Sequence, residues 1–144
     1  MWDMFNNCNQ LEELLINQKT FITKETINMA RMFELCKNLK NINLLTFNTE
    51  KVEYLNKMFH ECENLKYLDL SNLNILDNTI LNNMFDGCCN LETIDLSSLK
   101  IGDNNKIDNM FDQTSKLKKI KVNENSIKIF KTTFKEIENK FVTN

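Results

Sequence analysis

The sequence predicts an α/β repeat: a solenoid of about five 26-residue units, parallel strands on its inner face, short helices outside and a helical cap at the C-terminus. Three observations carry this reading. The template Met-Phe-x-x-Cys-x-x-Leu-x-x-(Leu/Ile)-x-(Leu/Ile/Val) occurs five times, from Met4, Met32, Met58, Met84 and Met110, in steps of 28, 26, 26 and 26 residues. Self-similarity at such a fixed period marks a stacked-repeat architecture. Each unit holds two hydrophobic periods, one suited to a helix and one to a strand. The last 19 residues, 126–144, leave the template altogether.

In the fourth unit the apolar residues Leu81, Met84, Phe85, Cys88 and Leu91 fall at helical spacing. A short helix is expected near 79–88, with equivalents near 27–36, 53–62 and 105–113. Ile94 and Leu96 are then separated by two residues, the period of a strand. Strands are expected near 12–16, 40–45, 66–71, 92–97 and 118–122. The connection to the next unit carries Phe47, Leu73 or Leu99, then Ile75 or Ile101, and is read as an irregular second strand at the far edge of the core. The first unit holds two extra residues near Thr20-Phe21. One unit cannot bury its own apolar face; stacked units can, with neighbouring strands about 4.8 Å apart.

After Val122 the chain reads Asn123-Glu124-Asn125-Ser126, a polar turn with cap-forming residues. Ile127, Phe130, Phe134, Ile137 and Phe141 then recur at steps of 3, 4, 3 and 4, an amphipathic helix over 126–141. The solenoid is therefore assigned to 1–125 and the capping helix of the same domain to 126–144. No matching cap is visible at the N-terminus, where Met1, Trp2, Met4 and Phe5 open directly on the core columns. The reading is the C-terminal piece of a longer array; the alternative is an exposed, adhesive end.

With 144 residues and 42% hydrophobic content, one domain with a core is expected, and a net charge of −2 argues for neither nucleic acid nor membrane binding. No apolar run is long enough to cross a bilayer, and no signal peptide is visible. Five cysteines, four of them in the column Cys8, Cys36, Cys62 and Cys88, fit packing rather than a disulfide framework. Asparagine, at 24 residues, is read as compositional bias.

Cys62-Glu63-Asn64-Leu65-Lys66-Tyr67-Leu68-Asp69-Leu70-Ser71, and the run Cys88 to Ser97, resemble the BspA-type leucine-rich repeat family, in its bacterial surface-protein 26-residue form. The resemblance covers about residues 1–122. It implies a leucine-rich-repeat solenoid, protein binding and a cell-surface or extracellular location, as in surface proteins of low-GC bacteria such as mycoplasmas. The sequence departs from the pattern at Asn43-Leu44-Leu45 in the second unit, and at Thr114 and Lys121 in the fifth.

No catalytic constellation stands out. The cysteines lack metal-ligand spacing, His60 is expected on the outward side of its helix without a nucleophile beside it, and Gly87 and Gly102 are isolated. No enzyme, cofactor, metal or small-molecule substrate is expected. The candidate partner-binding residues lie on the strand face: Tyr67, Asp69, Thr93, Asp95, Asn43 and Lys119. They belong to the rows Glu13, Asn41, Tyr67, Thr93, Lys119 and Leu15, Asn43, Asp69, Asp95, Lys121, flanked by Asn17, Leu45, Ser71, Ser97 and Asn123. Tyr67 is the aromatic anchor, the residue type that concentrates interface energy. Cys89, one position out of column, is expected to be the exposed thiol. The expected function is non-catalytic protein binding through this face; the alternatives are an intracellular interaction module or a structural spacer.

Overall fold

A computed structural model describes residues 1–16 and 21–143. Thr20 and Asn17 lie outside the described residues. The chain is α/β with parallel strands: β1 Glu13–Leu14, β2 Asn41–Ile42, β3 Tyr67–Asp69, β4 Thr93–Leu96, β5 Lys119–Val122 and β6 Phe141–Val142. Two sheets form, β1-β2 and β3-β4-β5-β6, and every pairing is parallel. The register links residues one repeat apart: Tyr67 pairs with Thr93 and Thr93 with Lys119. Leu68, Leu70, Ile94, Leu96, Ile120 and Val122 point inward and are buried, as period-two alternation requires.

The four expected outer helices are not helices. Residues 27–36, 53–62, 79–88 and 105–113 are runs of tight turns. Two residues per run adopt positive φ: Arg31 and Leu35, Lys57 and Glu61, Asn83 and Gly87, Asn109 and Gln113, with Asp3 and Asn7 in the first unit. A left-handed residue every fourth position breaks a right-handed helix. The backbone amides then alternate in direction. Met32, Glu34 and Cys36 donate three residues back, to Met29, Arg31 and Phe33. Arg31, Phe33 and Leu35 donate forward to Asn56, Met58 and His60 in the next unit. Local turns and inter-unit bonds together satisfy the backbone that a helix would have satisfied alone.

Apolar side chains stack in columns along this ladder. Phe5, Phe33, Phe59, Phe85 and Phe111 lie with centroids 5.4, 5.4, 6.1 and 5.8 Å apart and rings within 18° of parallel. The expected second strand is reduced to single parallel bridges joining Asn28, Tyr54, Ile80 and Lys106.

The single helix expected over 126–141 is three short pieces: α1 Ile127–Thr133, a 3₁₀ segment Lys135–Lys140 kinked at Ile137, and β6. Ser126 does not cap α1 with its side chain; its hydroxyl donates to the carbonyls of Leu99 and Ile101. The break at Phe134 lets Phe134 and Phe141 turn onto Phe111, at 5.1 and 6.1 Å, with Phe130 behind them. The aromatic column therefore ends in a cluster of crossed rings.

Candidate functional site

Inward alternation leaves Tyr67, Thr93 and Lys119 in one outward row, paired across β3, β4 and β5. Asp69, Asp95 and Lys121 form the next row in the same register. Asn43, Asp69 and Asp95 of this row do structural work. Asn43 accepts a hydrogen bond from the Leu45 amide at 2.9 Å, Asp69 from the Ser71 amide at 2.8 Å, and Asp95 from the Ser97 amide at 2.9 Å. Each side chain thus closes a turn two residues on and ends its strand. Asp95 also accepts from the Ser97 hydroxyl and pairs with the Lys121 ammonium at 3.0 Å. Partial burial pushes its carboxyl up, but the Ser97 donors and Lys121 outweigh this and hold it below the usual aspartate range.

Tyr67 is 56% exposed, and it does not stand alone. Leu15 is 86% exposed and Leu45 62%, and both line one shallow groove with Tyr67, Glu13, Asn41, Asn43 and Asp69. Among the described residues no ladder pairing joins β2 to β3, so the groove opens where the sheet is interrupted. Sequence reasoning named Leu15 and Leu45 as row members but missed that they line one groove with Tyr67. The structure therefore gathers Tyr67, Asp69 and Asn43 at this groove, and leaves Thr93, Asp95 and Lys119 on the paired sheet beyond it. An apolar cluster rimmed by polar groups is the usual form of a protein contact.

The turn face carries a second ladder. His60 lies between Glu34 and Asp86, its Nδ1 3.3 Å from one carboxylate and its Nε2 3.4 Å from the other. It is on no helix, and its ring is mostly buried. Glu34 is buried and also meets Arg31 and, at 3.9 Å, Lys57; Asp86 accepts from Asn83 and Gln113, both at 3.2 Å. The 26-residue spacing of Glu34, His60 and Asp86 was the available signal for this contact. The contact sets side chains of three successive units side by side. Among the described residues, no group of three or more His, Cys, Asp or Glu is placed to hold a metal ion.

Cys36, Cys62 and Cys88 are buried and donate to the carbonyls of Phe5, Phe33 and Phe59 in the preceding unit, at 3.1, 3.1 and 3.0 Å. Burial pushes the Cys36 thiol up to about 11 and raises Cys62 and Cys88 as well, so all three stay protonated. In the same column Thr114 turns its hydroxyl onto the Phe111 carbonyl of its own unit. Cys89, expected exposed, is half-buried with its Sγ 3.7 Å from the Glu63 carbonyl.

A family model described as "Mycoplasma protein of unknown function, DUF285" matches residues 1–139. Comparison with curated proteins and with solved structures gives no match.

Proposed function

The chain belongs to the DUF285 family of Mycoplasma proteins, and we propose that it is a non-catalytic protein-binding module built as a leucine-rich-repeat solenoid. The one-repeat register of every strand pair and the five-ring phenylalanine column support the solenoid. The likeness of Cys62 to Ser71 to BspA-type repeats supports the same architecture and a role at the cell surface.

One observation carries the binding site: Leu15, Leu45 and Tyr67 stand exposed around the interruption between β2 and β3. Tyr67 supplies the anchor, the leucines supply apolar area, and Glu13, Asn43 and Asp69 form the polar rim. Thr93 and Lys119 extend the contact along the row. A structural spacer is the second reading, favoured by the engagement of Asp69 and Asp95 in their own turns.

The test is selection of binders from a displayed library of host and bacterial protein fragments on the intact chain. Tyr67→Ala should weaken selected binders by more than tenfold, as hot-spot residues do. Lys131→Glu, exposed on α1, should leave them unchanged. Binders insensitive to Tyr67→Ala and to Leu45→Asp would remove the groove from the binding surface. Failure to select any binder would favour the spacer.

A further inference from the structure

We propose that the end of the groove where β2 and β3 begin, between Lys40 and Lys66, holds an acidic side chain of a protein partner. This rests on the groove as a binding surface and adds the chemistry of what it binds.

The first observation is a missing backbone bond. In each coil the residue just ahead of the strand is Glu12, Lys40, Lys66, Glu92 or Lys118. Lys40 donates its amide back to Glu12, Glu92 to Lys66 and Lys118 to Glu92, each at 2.9 Å. By the same register the Lys66 amide should reach the Lys40 carbonyl. Among the described residues the Lys66 amide has no acceptor, and the Lys40 carbonyl receives no backbone amide. The turn side of the same junction is closed. Arg31, Phe33 and Leu35 donate to Asn56, Met58 and His60, and Asn64 donates to Lys37 at 3.1 Å. The two coils are thus joined, and the opening is confined to the start of the strands.

The second observation is the order of charges in that row. Glu12, Lys40, Lys66, Glu92 and Lys118 read acid, base, base, acid, base. Lys40 pairs with Glu12 at 2.7 Å, and Lys118 with Glu92 at 2.6 Å. Lys66 stands between these completed pairs and forms no ion pair among the described residues. Like charges side by side on neighbouring strands repel. The missing backbone bond falls where the row sets lysine beside lysine.

The third observation is position. Tyr67 follows Lys66 directly and lines the groove with Leu15 and Leu45. A partner residue seated on Tyr67 therefore brings its own neighbours to Lys66. An amide side chain there would serve the Lys66 amide but leave the Lys66 ammonium unanswered. A carboxylate accepts from the amide and pairs with the ammonium, and such charge-assisted bonds are roughly twice as strong as neutral ones.

The test selects short peptides from a displayed random library on the intact chain and keeps those that Tyr67→Ala releases. Asp or Glu should be enriched at one position of the kept set. Converting that acid to its amide should weaken binding about tenfold, as loss of a charged hydrogen bond does. Lys66→Ala should weaken the parent peptide by a similar factor, and the two changes together no more than either alone. Lys66 is exposed and unpaired, so Lys66→Ala should keep the wild-type denaturant midpoint. Lys66→Glu should select Lys or Arg at the same peptide position. Kept peptides with Asn or Gln there, or with an acid whose loss simply adds to that of Lys66→Ala, would overturn the proposal and leave the groove standing as a binding surface. A library with no peptide that depends on Tyr67 would remove the groove, and this proposal with it.

Discussion

At Gly87 the backbone sits at φ +77°, and an added Cβ would lie 2.9 Å from Glu61 Cγ and 3.3 Å from Glu61 Cα. Gly87→Ala should therefore destabilise the chain by about 1–2 kcal/mol, the usual cost of a left-handed L-residue, with contact strain added; a denaturant midpoint equal to wild type would contradict this. Asn7 holds the equivalent position of the first unit, and Asn83 and Asn109 hold the other positive-φ position of their runs, where a short polar side chain is tolerated. Asp95 makes a prediction about pH. Its carboxyl is held below the ordinary aspartate range, so its contribution is complete above about pH 4 and is lost as pH falls through the lowered value. Urea titrations from pH 7 downward should show wild-type stability dropping more steeply than Asp95→Asn below about pH 4. Parallel curves would mean that Lys121 and Ser97 do not hold the carboxylate.

The strands were readable because Leu68 and Leu70, Ile94 and Leu96, and Ile120 and Val122 keep a period of two that only a strand satisfies. The turn runs were misread because Met29, Met32, Phe33 and Cys36 have the spacing of a helix face, and a run of three-residue turns buries the same positions. What separates the two is the left-handed backbone at every fourth residue, and Arg31, Leu35, Lys57 and Glu61 give no side-chain sign of it. At the site, Tyr67 and its row were readable from the 26-residue register. The groove was not, because the repeat spacing stays constant across the interruption between β2 and β3. The C-terminal segment kept its apolar stripe but not its regularity, since Phe134 and Phe141 could reach Phe111 only by breaking the helix. Phe130 is fully buried there, and Phe130→Ala should cost about 3–5 kcal/mol. A loss below about 0.5 kcal/mol, typical of surface sites, would show that the segment does not seal the last coil.

In the proposed solenoid each coil packs on its neighbours, so stability should be close to a sum of coil and interface contributions. The middle coils are covered on both sides and hold Phe33, Phe59 and Phe85 fully buried; the first coil is covered on one. Amide exchange should accordingly be slowest in the coils around Met58 and Met84 and fastest around Met4. Uniform protection along the chain would point instead to a single cooperative unit. The forward-donating amides have a further consequence under load. Because Arg31, Phe33 and Leu35 are tied to the next coil and not to their own, tension applied between the chain ends acts on the joints between coils. The molecule should then lengthen as a staircase, one 26-residue coil per step. Each released coil adds roughly 9 nm of contour at full extension, so an optical-trap trace would read the repeat length as a distance.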